Sequence, residues 1–212
     1  MLIVADRAAR LAQYQDNRYA QRYRRQMDAL AQALNARRLP PALLLQVADI
    51  LYRLLAVKDE YEVARLLASP SLAAEVAASF EAGATITFQL APSWLPGRSN
   101  DSGKYSLGGW ARPVLRLLAA LRFARGTLLD PFRLHAERRM EHEVRRLFAA
   151  DLQEAIDRID AANFEFHRAR LAAAGEIRGY GSVKMKKMRE YLQRRAVPRA
   201  DEDRQAPAQK QG

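Results

Sequence analysis

Residues 11–34, LAQYQDNRYAQRYRRQMDALAQAL, decide the fold class. Leu11, Tyr19, Tyr23, Met27, Leu30 and Leu34 recur at helical spacing on one stripe, with Arg and Gln filling the other face. That is the pattern of an amphipathic helix burying one side. It predicts a first helix from about Asp6 to Ala36. Working outward, Pro40 and Pro41 end this segment and suit the first turn of the next, where the missing proline amide costs nothing. A second helix carries Leu44, Val47, Ile50, Leu51, Leu54 and Leu55. KDEYEVARLL (58–67) continues as helix and stops before Pro70, and Ser71 is placed to cap a short helix, SLAAEVAASF.

The middle changes character. ATITFQL (Ala84–Leu90) alternates β-branched and aromatic residues with polar ones and reads as a strand. APSWLPGRSNDSGKYSLGG (91–109) is dense in Pro, Gly, Ser and Asn and reads as a loop, packed locally by Trp94, Tyr105 and Trp110. Helices resume near Arg112, where Val114, Leu115, Leu118, Leu121 and Phe123 fall in a helical pattern ended by Gly126. A long helix is expected over Leu134–Ile159, another around Asn163–Ala174, and a last one on KMKKMREYLQRR (184–195). From about Pro198 the chain is polar and without periodicity, so disorder is expected there. The fold class that follows is mainly α. It is one multi-helix domain over 1–197, with a small β element near 84–90 and a disordered tail over 198–212.

Composition narrows the function. The chain has no cysteine, which excludes a disulfide scaffold, a thiolate nucleophile and a cysteine-held iron–sulfur cluster. No apolar run approaches the 18 or so residues of a membrane helix, and the first residues lack a signal-peptide pattern, so a cytoplasmic setting without membrane contact is expected. The formal net charge of +11 admits a polyanion partner. Arginine greatly outnumbers lysine, however, which suits ion pairs equally well, and no recognition motif accompanies the charge.

Candidate sites were weighed in turn. His135 and His142 stand two turns apart on one expected helix, a spacing that differs from the i, i+4 pairs of helical zinc sites. Arg138 and Arg139 beside Glu137 and Glu141 read as helix-face ion pairs. Lys58, Asp59, Glu60, Tyr61 and Arg65 crowd one helical patch, which suits either a solvated face or a polar contact with a neighbouring domain. Gly179, Gly181 and Lys184 faintly resemble a phosphate cradle, yet the Walker spacing is missing and no strand precedes them. No catalytic, cofactor-binding or metal-binding residue is assigned.

Five strings carry a family resemblance: LAQYQDNRYAQRYRRQM (11–27), KDEYEVARL (58–66), FQLAPSWL (88–95), LRFARGTLLDPFRLHAERRMEHE (121–143) and EIRGYGSVK (176–184). In collinear order over residues 7 to 195, they resemble the C-terminal domain of the fused indolepyruvate:ferredoxin oxidoreductases, within the 2-oxoacid:ferredoxin oxidoreductase superfamily. The resemblance implies a parent enzyme that oxidatively decarboxylates arylpyruvates to acyl-CoA, with thiamine diphosphate and [4Fe–4S] clusters held in other domains. It implies that this chain holds no cofactor. As a non-catalytic accessory domain it would partner the remaining domains or subunits, with ferredoxin and a second copy as further candidates. The contact surface would draw on Lys58, Asp59, Glu60, Tyr61, Arg65, Asp130, Arg138, Arg139, Arg178 and Lys184. One departure stands after LDPF: the family usually continues with Gly and a small or aromatic residue, where this chain has Arg133-Leu134-His135. The rival reading from another class is a basic helical nucleic-acid-binding module, motivated by the charge and by KMKKMREYLQRR.

Overall fold

A computed structural model describes residues 2–80, 85–90 and 105–196. The chain is mainly α: among the described residues there are nine α-helices and one two-stranded antiparallel ribbon. The expected 1–197 domain holds two compact units, Met1–Ala56 with Phe132–Gly212, and Val57–Pro131. Each has its own apolar core. The expected tail over 198–212 lies outside the described residues, as does Trp94.

The first unit is built from α1 (Leu2–Tyr14), α2 (Asn17–Ala36), α3 (Ala42–Leu55), α7 (Ala136–Arg158), α8 (Phe164–Ala173) and α9 (Gly181–Ala196). The single first helix expected from the hydrophobic stripe is in fact two. Asp16 breaks it: its backbone is extended and its carboxylate accepts from the Tyr19 amide at 2.7 Å, capping α2. A short carboxylate can take over an amide that helix propagation would otherwise use, which favours Asp at helix starts over helix interiors. The stripe itself is buried: Tyr23, Met27 and Leu30 meet Leu43, Val47 and Leu51 of α3 and Val144, Phe148 and Leu152 of α7 in one cluster. Met188 and Tyr191 of α9 close it. Tyr23 brings a hydroxyl into this core and satisfies it by donating to Ala48 O at 3.1 Å, and burial raises its pKa.

At its C-terminus α2 ends on a left-handed residue that is not glycine. Arg38 has φ +54°, and the Leu39 amide donates back to Leu34 O at 2.9 Å. The turn spends the last carbonyls of α2 but strains a residue with a Cβ. Neighbouring Arg37 donates to Asp157 O at 3.0 Å, setting a cation at the C-terminal end of α7 where the helix dipole favours one.

The second unit is built from α4 (Glu60–Leu67), α5 (Pro70–Ser79), β1 (Phe88–Leu90), β2 (Tyr105–Leu107) and α6 (Ala111–Ala120), with a 3₁₀ turn over Leu121–Ala124. The cap of α5 is Ser69, not Ser71: its hydroxyl accepts from Leu72 N at 3.2 Å, and Pro70 takes the first turn. The strand is shorter than expected, and Tyr105–Leu107, expected in a loop, pairs with it in the register Phe88↔Leu107. Three residues among glycines and serines are too few to show an alternation, so the pairing partner was invisible locally.

In α6 the sequence pattern mistook two faces for one. Ala111 and Leu115 are buried with Ala64 and Phe88. Val114, Leu121 and Phe123, expected inward, are exposed, and Trp110, expected to pack its loop, is 68% exposed. The helix is apolar around more than half its circumference, and its own unit covers only one side.

Two outcomes test this account. Arg38→Gly relieves the left-handed strain and is expected to raise unfolding stability by about 0.5–1 kcal/mol in urea titrations. Phe148→Ala, which empties a fully buried position, is expected to cost about 3–5 kcal/mol in the same assay.

Candidate functional site

Three carboxylates are buried, each held by more than one partner, and they organise the polar chemistry of the molecule. In the second unit Asp59 is 4% exposed. Its carboxylate caps α4 by accepting from Glu62 N at 2.8 Å, and Arg125 grips both oxygens, with Nε to Oδ2 at 2.5 Å and Nη2 to Oδ1 at 3.0 Å. The same guanidinium lies over the Tyr61 ring, 5.5 Å from its centroid. Tyr61 in turn donates to Asp130 Oδ1 at 3.1 Å, and Asp130 Oδ2 accepts from Gly126 N at 2.7 Å. Burial first, and then the Asp130 charge, push the Tyr61 hydroxyl well above its ordinary pKa, so it serves as a neutral donor. Gly126 has φ +73°, which glycine alone takes without strain, and this brings its amide onto Asp130.

In the first unit Glu141 of α7 accepts from Arg138 at 2.8 Å and from Lys184 of α9. One turn and a half further along α7, Asp151 accepts from Arg170 of α8 at 2.8 Å and from Arg195 of α9 at 2.6 Å. Both carboxylates are nearly dry, at 4% and 2% exposure for the residues. Two cations per carboxylate offset the cost of removing it from water and tie α8 and α9 to α7. His167 of α8 is buried as well, edge-on to Phe166 with centroids 5.2 Å apart. Burial holds its pKa below the ordinary value, and the Glu154 charge works against that shift.

The structure brings together some of the residues singled out from sequence. Asp59, Tyr61 and Asp130 form one network. Arg138 and Lys184 form another through Glu141. Arg65 makes a two-pronged pair with Glu62 on the same helix, at 2.7 and 2.8 Å. Others stand apart: Lys58 and Arg139 are exposed, Glu60 is half-buried in the first turn of α4, and Arg178 donates to Gly175 O at 3.2 Å within its own turn. The glycine-rich turn at Gly179 and Gly181, with φ +92° and +54°, leads straight into α9, and Lys184 is committed to Glu141.

Arg125, Asp151, Arg170 and Arg195 were missed. The first lies 66 residues from its partner and the last 44, so no local spacing could announce them. Chemically, these arrangements hold helices in place: each carboxylate is occupied by cations and amides. Among the described residues, no group of three or more His, Cys, Asp or Glu is placed to hold a metal ion, and no helix is long and apolar enough to cross a membrane.

The sequence pattern that defines a family of unknown function (DUF6537) matches residues 2–197, and the chain belongs to that family. No curated protein and no solved structure matches it.

Arg125→Met strips the cation from a buried carboxylate and is expected to destabilise the second unit by about 3 kcal/mol. Hydrogen exchange would show it as faster exchange of the α4 amides, and Asp59→Asn on top of it is expected to recover part of the loss. His167 supplies a pH dependence. Its folded pKa is depressed, so the unfolded chain takes up the proton first as pH falls. The stability it contributes is complete above the ordinary value of 6.5 and is lost as pH falls through the folded value. Stability measured from pH 7.5 down to 5 is expected to decline, and His167→Gln to flatten that decline.

Proposed function

We propose that this member of the DUF6537 family is a non-catalytic accessory module of a 2-oxoacid:ferredoxin oxidoreductase of the indolepyruvate type, and that it packs against the enzyme's other domains or subunits. The observation that carries the reading is the collinear set of five strings over residues 7 to 195, nearly the whole described chain. The placement of those strings adds support. KDEYEVARL and LRFARGTLLDPF supply Asp59, Tyr61, Arg125 and Asp130, the network of the second unit. ERRMEHE and EIRGYGSVK supply Arg138, Glu141 and Lys184. The segments that carry the resemblance are therefore the ones that build the internal scaffold. In this reading thiamine diphosphate, the iron–sulfur clusters and the chemistry belong to the other domains, and ferredoxin docks on the assembled enzyme.

A second reading is favoured by one surface. Arg18, Arg22 and Arg25 are exposed along one face of α2, and no carboxylate among the described residues pairs with them. Three unpaired cations in line suit a polyanion such as nucleic acid.

The deciding experiment is a pull-down of the full chain with the upstream oxidoreductase polypeptide, read out by indolepyruvate-dependent dye reduction. Binding with increased turnover is the expected result, and absence of both would overturn the accessory reading. In the second reading, mixed-sequence RNA or DNA is shifted in a gel and released steeply as salt rises. Arg18→Ala/Arg22→Ala/Arg25→Ala would abolish that shift.

A further inference from the structure

The described large apolar residues that stand exposed are unevenly distributed. Nine of the fifteen lie between Leu66 and Leu129, in the smaller unit. Four of these form a line. Trp110, Val114, Leu117 and Leu121 follow one another at steps of four, three and four residues, the repeat of a single helix face. Their exposures are 68, 57, 62 and 38%. The adjoining face of α6, with Ala111, Leu115 and Leu118, is packed on its own unit. An apolar stripe of this regularity has no role in the core of the unit that carries it, and surfaces of this kind mark interaction sites.

The charge around the stripe says what would cover it. Arg112 and Arg116 lie on the side of α6 away from its packed residues, and neither pairs with a carboxylate among the described residues. From Ser102 to Leu129 the sequence has Lys104, Arg112, Arg116, Arg122 and Arg125 and no Asp or Glu. A second copy of the same face would bring arginine against arginine, which disfavours self-pairing. A partner helix laid alongside would meet an apolar ridge with cations along one edge. We infer that the Trp110–Leu121 face of α6 is a docking surface for a protein helix whose own apolar ridge is bordered by Asp or Glu. Trp110 is its anchor: tryptophan and arginine are the residue types that dominate interface energetics. Leu117 and Val114 fill the partner's grooves, and Arg112 and Arg116 fix the register by pairing with its carboxylates. The inference rests on the accessory-module reading and adds the face and the chemistry of the contact.

The test uses the full chain and the upstream oxidoreductase polypeptide as the probe, with affinity measured by titration. Val114→Ser/Leu117→Ser and Arg112→Glu/Arg116→Glu change only side chains outside the packed face, and unchanged circular dichroism and melting temperature confirm their folding. Each pair is expected to weaken binding at least about tenfold, roughly 1.4 kcal/mol, and the charge reversal to flatten the salt dependence as well. Failure of the wild-type chain to bind overturns the accessory reading and this surface with it. Wild-type binding that both variants retain overturns this surface alone. Loss of binding in the serine variant with full binding in the charge reversal overturns the acidic partner. Two further results would overturn the proposal in favour of another occupant. One is co-sedimentation with phosphatidylserine-containing vesicles that the serine variant loses. The other is concentration-dependent self-association that the serine variant loses.

Discussion

A carboxylate taken out of water must be met by charge or by several donors, and this constraint organises both units. Asp59 stands where α4 begins and draws Arg125 back to it from beyond α6. Glu141 and Asp151, both on α7, draw Lys184 and Arg195 from opposite ends of α9, and Arg170 from α8. Apolar burial supplies the larger share of stability, because it scales with area and the α2–α3–α7 core is extensive. It is poor at fixing register, since a leucine stripe can slide by a turn at modest cost. A buried carboxylate cannot slide away from its cations, so the ion pairs select one packing among the several that the apolar faces would allow.

That division bears on the net charge of +11. Glu141 and Asp151 are each met by two cations, so each network carries one unit of surplus positive charge inside the fold. Part of the basicity is therefore structural and says nothing about an external partner. What remains available is local: Arg18, Arg22 and Arg25 on α2, and Arg112 and Arg116 beside the apolar stripe of α6. A formal charge summed over the chain cannot make this distinction. It emerges only when each arginine is assigned to a carboxylate or to solvent.

The helices were legible because their signal is local. A stripe such as Tyr23, Met27, Leu30 and Leu34 repeats within the reach of one helix, and prolines mark the ends. What escaped was decided by competition or by distance. At Asp16 a cap won over a continuous stripe, and the apolar pattern on either side gave no hint, since Leu11 and Tyr19 keep their spacing across the break. At Ser69 and Ser71 two caps were available, and Pro70 favours the earlier one because it fits the first turn that follows. Tyr105–Leu107 is a strand only because Phe88–Leu90 lies beside it. The ion-pair partners of Asp59 and Asp151 lie tens of residues away, with no periodicity to link them. Of the candidate residues, those within a turn or two of their partners were read correctly as paired, as with Arg138 and Glu141. The committed role of Lys184 was not legible.

The α6 stripe shows where pattern reading stops for a physical reason. Hydrophobic periodicity reports that a face avoids water, and it is silent on what covers the face. In α2 the covering is the chain itself, with Tyr23 and Leu30 fully dry. In α6 two apolar faces share ten residues, and the unit has material for only one, supplied by α4 and the short ribbon. A helix interior could have been completed more simply with Arg, Glu or Gln at positions 114, 117 and 121, which cost nothing in propensity. Retaining Val and two Leu there, beside a tryptophan and two unpaired arginines, gives up solubility without any gain for the isolated unit. The arrangement becomes favourable once another surface removes those side chains from water, and the one-signed charge along its edge restricts which surface that can be.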